Sequence, residues 1–194
     1  MPRHPDPDLE ERILKAAQTL WKRGGDKALT MRAVARSAHT NTPAVYRRFK
    51  DRQALVRALL LRIAARIREQ FAASTTVEGM AEAYVDSALN EPHEYELFYS
   101  NSRWLSHPKG TGRVRPIRES RPNFGFVEQQ LAERLGGRAE DHTQLALAMW
   151  ATLHGTTLLL LSKSIPEGHE PELRAACRAA VKALLNGGSH FHES

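Results

Sequence analysis

Apolar residues recur along this chain at intervals of three and four, and no stretch alternates strictly between apolar and polar positions. That pattern predicts helices and no convincing strand. The first series is Leu9, Ile13, Ala16, Ala17, Leu20 and Trp21. Asp6 is placed to cap it, with Pro7 in the first turn, where a missing N–H costs nothing. Gly24-Gly25 is placed to stop it, because glycine accepts the left-handed conformation of a helix end. Thr30 caps a short second helix that turns Met31, Val34 and Ala35 inward and ends near Ser37. After Ala38-His39-Thr40, Asn41 caps a third helix with Pro43 in its first turn, and Phe49-Lys50-Asp51 closes it. Asp51 then opens a long fourth helix with Leu55, Leu59, Ile63, Ile67 and Phe71 on one face.

A Ser/Thr-rich joint at 72–77 marks a plausible domain boundary. Beyond it the pattern predicts a helix over about 78–90, broken by Glu91-Pro92, and a shorter one carrying Tyr95, Leu97 and Phe98. Residues 102–122, with three prolines, two glycines and five arginines, read as a long loop. Loops of that length in compact domains are usually functional or mobile. Helical spacing returns over about 123–135 and stops at Gly136-Gly137. Asp141 is placed to cap a strongly apolar helix running to Leu161, and a last helix runs from about Pro171 to Asn186.

Charge changes the picture. The chain of 194 residues carries +6, but residues 1–68 hold 16 lysines and arginines against 6 acids, while the remainder is mildly acidic. A basic first third on an acidic body is the electrostatic footprint of a nucleic-acid-binding module. The lone cysteine, Cys177, leaves no disulfide framework and no multi-cysteine zinc site, so a reducing, cytoplasmic setting is expected. The polar start has no secretory pattern, and the longest apolar run, 156–161, is far short of a membrane span. The nine histidines include no pair with the spacing of a catalytic zinc helix, and His190 and His192 fall in a polar tail. There is no phosphate loop and no nucleophile elbow. No enzyme, metal or cofactor is expected.

Residues 30–49 have the layout of a helix-turn-helix, in which the second helix enters the major groove. That helix opens on Asn41, Thr42, Pro43 and Ala44, and phosphate-reaching groups cluster at its far end: Tyr46, Arg47, Arg48, Lys50 and Arg52. The stretch Ala28-Leu-Thr-Met-Arg-Ala-Val-Ala, followed by Thr42-Pro-Ala-Val-Tyr-Arg-Arg-Phe-Lys-Asp-Arg-Gln-Ala-Leu55, resembles the DNA-binding domain of the TetR family of repressors, as does Arg12-Ile-Leu-Lys-Ala-Ala-Gln-Thr-Leu20. The resemblance spans roughly 9–69. It implies that Tyr46 packs on the DNA backbone, that Arg52 contacts phosphate, and that Arg32 reads a base from the second helix. It further implies that Thr42, Pro43, Ala44 and Arg47 form the base-facing surface, with Arg47 on base or phosphate. Thr30, Asn41, Arg48 and Lys50 complete the expected DNA-binding set. The family usually has glycine and then an apolar residue in the turn, where this chain has His39 and Thr40. That turn needs a positive φ, which histidine adopts at a cost.

The segment Met149-Trp-Ala-Thr-Leu-His-Gly-Thr-Thr-Leu-Leu-Leu160 resembles a Trp/His/Gly motif in the C-terminal domain of one TetR subgroup. The implied architecture is all-α: a DNA-binding domain over 1–72, joined by a long helix to a larger effector and dimerisation domain over 73–194. Phe98, Trp104, Phe124, Trp150 and His154 are candidates for an effector pocket, although core packing explains each of them equally well. The implied partners are a pseudo-palindromic duplex DNA, a second copy paired through the last two helices, and a small apolar or amphipathic effector. The expected function is therefore a repressor released from its operator by that effector. Two alternatives stay open: a DNA-binding protein without an effector, and a helical carrier or enzyme that has lost DNA binding.

Overall fold

A computed structural model describes residues 6–101, 116–121 and 123–188, and every regular element among them is helical. In chain order these are α1 (Leu9–Ala28), α2 (Met31–Ser37), α3 (Thr42–Arg48), α4 (Arg52–Ala72), α5 (Val77–Asn90), α6 (Pro92–Asn101), α7 (Ile117–Ser120), α8 (Phe124–Leu135), α9 (Thr143–Leu161) and α10 (Glu170–Asn186). A 3-10 turn over Ala139–His142 precedes α9. Contacts divide the chain into two units. The first holds residues up to Ile63 together with α6; the second holds Ala64 to Asn90 together with α7–α10. Trp104 and the histidines of the polar tail lie outside the described residues.

The first unit buries Ile13, Ala17 and Trp21 of α1, Val34 of α2, Val45 of α3, and Leu55, Leu59 and Ile63 of α4. Asp6 does not cap α1: Asp8 holds the cap position without a side-chain bond, Pro7 precedes the helix, and the Asp6 carboxylate accepts from the amide of Asp8 (3.0 Å) ahead of Leu9. The helical geometry of α1 breaks at Gly24-Gly25, as the glycines predict, and a last turn then runs on to Ala28. Gly25 sits at φ +57°, where a side chain is strained. Arg62 of α4 fixes that helix to α1, donating to Gln18 (3.0 Å) and Glu11 (2.6 Å). Helix α6 is held to α1 by polar bonds that cross some seventy residues of sequence. The Trp21 indole donates to the His93 carbonyl (2.6 Å), Gln18 donates to the buried Glu94 carboxylate (2.8 Å), and Lys22 pairs with Glu91.

The second unit is built on a core that includes Phe71, Met80, Val85, Phe124, Leu131, Leu145, Met149, Leu153, Cys177 and Val181. Thr76, not a joint residue in any passive sense, caps α5 by accepting from Gly79 N (3.0 Å). Two rows of opposite charge face each other: Glu78, Glu82 and Asp86 on α5, and Arg174, Arg178 and Lys182 on α10, each spaced by four. Arg174 bonds Asp86 at 2.5 Å. Arg134 of α8 pairs with Glu78 and, with Lys182 nearby, holds its carboxyl below the ordinary glutamate value.

Two further local expectations are corrected. Asp141 does not cap α9; it lies inside the 3-10 turn, and its carboxylate turns back to accept from Arg138 N (2.8 Å). The segment expected to be loop contains a helical turn, α7, in which Arg121 N closes on Ile117 O (2.8 Å). Residues 139–161 are long and apolar enough, by length and composition, to cross a membrane, with a third of that stretch buried. Their apolar side chains divide between the core and an exposed row of Leu147, Leu158 and Leu159.

Candidate nucleic-acid interface and effector site

Both helices of the helix-turn-helix are fixed at their starts by the predicted caps. Thr30 Oγ1 accepts from Ala33 N (3.1 Å), and Asn41 Oδ1 accepts from Ala44 N (2.9 Å). Each satisfies a backbone donor that the helix itself leaves open. Between them His39 takes φ +51°, the left-handed conformation that the turn requires. Thr40 N then reaches back to Ala35 O (2.9 Å), which completes the turn.

Helix α3 has two distinct sides. Ala44, Val45 and the following Phe49 are buried, whereas Asn41, Pro43, Tyr46, Arg47, Arg48 and Lys50 are exposed and Thr42 is half-buried. Tyr46 keeps 49% of its surface although its neighbour Val45 is fully covered. Arg32 and Thr30 of the preceding helix start are exposed as well. Ala44 departs from its expected base-facing place: at 3% exposure it packs inward.

Two arginines expected at DNA are engaged inside the unit. Arg52 donates from Nε to Leu29 O (2.9 Å), and from Nη2 to Asp26 O (3.1 Å) and Asp26 Oδ1 (2.8 Å). It ties the start of α4 to the end of α1. Arg48 Nη2 donates to Asp6 O (3.2 Å), which anchors the chain ahead of α1 beside the end of α3. Asp6 also pairs with Arg12 (2.7 Å), which holds its carboxyl below the ordinary aspartate value. Arg47 and Lys50 project from the same stretch with their charges exposed.

In the second unit the structure brings together three of the five expected effector residues. Trp150 and His154, one turn apart on α9, have ring centroids 6.4 Å apart, and Phe124 meets Trp150 edge-on, also at 6.4 Å. Phe98 lies on α6 in the first unit, beside Tyr99. Sequence reasoning missed Arg121, whose guanidinium stands 5.2 Å from the Trp150 ring centre, the range of a cation–π contact. Burial lowers the His154 pKa and the Arg121 charge lowers it further, so the imidazole is held neutral. Close by in sequence, Glu128 of α8 is fully buried. Its Oε1 accepts from Thr143 Oγ1 (2.5 Å) and, at longer range, from Arg118 (3.4 Å). The sequence hint of Arg118 and Arg121 is the run of arginines before α8.

Comparison with known proteins finds two family matches along the chain. Residues 13–59 match the family described as bacterial regulatory proteins, tetR family, and residues 77–184 match the tetracyclin repressor-like C-terminal domain. Among solved structures, a Rhodococcus sp. RHA1 protein of unknown function is 23% identical, with a TM-score of 0.70 over 96% of this chain and 98% of that one. A TetR-family transcriptional regulator from Streptomyces coelicolor is 22% identical, with a TM-score of 0.63 over 92% of this chain and 98% of its own. A TetR variant from Acinetobacter baumannii AYE, in complex with minocycline, is 18% identical, with a TM-score of 0.63 over 94% of this chain and 97% of its own. No curated protein matches the chain.

Proposed function

The chain belongs to the tetR family of bacterial regulatory proteins, and from that premise we propose that it is a cytoplasmic, homodimeric repressor that leaves its operator when a small molecule binds the second unit. The observation that carries the reading is the two-sided α3. Its buried side is spent on packing, and its other side presents Thr42, Pro43, Tyr46 and Arg47, with Lys50 beyond the helix end. Small residues at the start of a recognition helix let it approach base edges, and arginine can make two hydrogen bonds to guanine. Arg32 adds a second base-reading group, and Thr30, Asn41 and Arg48 border the surface. Arg52 serves it indirectly, by fixing α4 against the end of α1.

Dimerisation supplies the second half-site. The exposed row of Leu147, Leu158 and Leu159 on α9 lies with Ala151 and Gly155, and α10 exposes Ala176, Ala179 and Ala183. A side chain at Gly155 would meet nothing within 4 Å of its own chain, so the small residue there serves an approach from outside. A symmetric pair would set two recognition helices about 34 Å apart, one turn of DNA. For the effector, the aromatic pair Phe124 and Trp150 with the neutral His154 and the cationic Arg121 suits an apolar or amphipathic molecule. The minocycline complex of the Acinetobacter relative supports a small-molecule effector of this general kind.

The test is fluorescence anisotropy on DNA flanking the protein's own gene, over a salt series. Saturable binding of dimers, preferring that DNA over random sequence and falling steeply with salt, is the expected result. Arg47→Ala should lower the affinity for the preferred site by about tenfold, the scale of one bidentate base contact. Weak binding that is equal on all sequences and indifferent to Arg47 and Lys50 would sink the reading. An effector must weaken DNA binding by the same factor by which DNA weakens its own.

A further inference from the structure

Away from the Trp150 and His154 cluster, a cleft of about 170 Å³ opens between α5, α9 and α10. Its walls are apolar: Ala81 and Val85 from α5, Leu153 from α9 and Val181 from α10, with Cys177 beside them. The facing acidic and basic rows of α5 and α10 border it and neutralise one another across the opening.

Between those charged rows, one uncharged polar side chain stands in the apolar lining, that of Thr156. Thr152 and Thr157 of α9 each return their hydroxyl to the carbonyl four residues earlier, at 2.9 and 2.8 Å. That is the ordinary resting place of a helical threonine. Thr156, only 6% exposed and on the cleft wall, makes no such bond among the described residues. A hydroxyl not tied back to its own helix is free to bond a ligand that carries a hydrogen-bonding group.

We propose that this cleft is a second small-molecule site, taking an uncharged compound of about one aromatic ring that bears a single hydroxyl or carbonyl group. The volume sets the size, since an apolar cavity of roughly 150 Å³ holds benzene. The lining sets the charge: the apolar floor offers nothing to solvate an ion, and the acidic and basic side chains at the rim offset one another. Thr156 sets the polar group and its place. This goes beyond the DNA-binding reading and stands whether or not that reading holds.

Phenol and toluene are the probes, titrated into the full chain while methyl NMR signals are followed. Phenol should move the Val85, Leu153 and Val181 methyls saturably and leave the signals around Trp150 in place. Thr156→Val, which keeps the shape and removes the hydroxyl, should weaken phenol roughly three- to tenfold, the worth of one hydrogen bond, and leave toluene unchanged. Val85→Phe, which fills the cleft, should abolish both. The proposal is overturned if phenol leaves the three methyls unmoved or saturates at Trp150 instead. Equal weakening of phenol and toluene by Thr156→Val overturns it as well, and that variant retains the fold even if the filled one does not.

Discussion

Arg52 grips Asp26 twice, donating from the same nitrogen to its carboxylate at 2.8 Å and to its backbone carbonyl at 3.1 Å. With the bond to Leu29 O, this makes Arg52 a clasp between α4 and the end of α1. Arg52→Ala should therefore destabilise the protein by about 1–2 kcal/mol, a figure held down because the side chain is partly exposed. Arg52→Lys should lose most of the same stability, since a single ammonium cannot reproduce the fork. Urea denaturation measures this, and the salt slope of DNA binding separates the alternative. An Arg52 that chiefly held a phosphate would lower that slope by about 1 on mutation to alanine and leave stability alone.

His39 in the turn stands at φ +51°. The left-handed conformation costs a side-chain-bearing residue roughly 1–2 kcal/mol, and glycine's larger unfolded-state freedom offsets about 0.5–1 kcal/mol of the gain. His39→Gly should therefore raise stability by about 0.5–1 kcal/mol, visible as a higher urea midpoint. A lower midpoint would mean that the imidazole makes a contact worth more than the strain.

The parts of this protein that the sequence revealed are those whose causes are local. Thr30, Asn41 and Asp51 cap the helices that follow them because each needs only a backbone amide two or three residues on. The strained turn was legible for the same reason, since the conformation belongs to the connection and not to its surroundings. Buried charge was not legible. Glu94 and Glu128 sit in the interior because Gln18, Lys22, Thr143 and Arg118 come to them from other helices, and no spacing encodes those meetings. Arg52 shows the limit most clearly. Its type and position resemble a phosphate contact, yet partners 23 and 26 residues away take up its guanidinium. Ala44 fails differently: a small residue fits both a DNA-facing surface and a tight helix contact, and only the packing decides.

His154 is held neutral by burial and by the charge of Arg121, with its pKa below the ordinary 6.5. The unfolded chain therefore takes up this proton first as the pH falls. Stability present above about 6.5 declines as the pH drops from there through the folded-state value. His154→Gln should flatten that part of the stability profile between pH 7 and 5. Arg121→Gln should raise the His154 titration midpoint seen by NMR without restoring it fully, because burial remains. A midpoint that does not move would show that Arg121 has no electrostatic hold on the imidazole.

Leu158 and Leu61 are about equally exposed, at 48% and 49%, but they belong to different helices and different units. Only Leu158 lies in the row proposed to meet a second copy. In a symmetric interface each substitution appears twice across the axis, and an unpaired carboxylate buried there costs several kcal/mol. Leu158→Glu should therefore convert the dimer to monomer in analytical ultracentrifugation. Operator affinity should fall at least tenfold, because the two half-sites are no longer linked. Leu61→Glu, the same change on an equally exposed leucine of α4, should leave the mass unchanged. A Leu158→Glu protein that remained dimeric would place the contact between copies elsewhere.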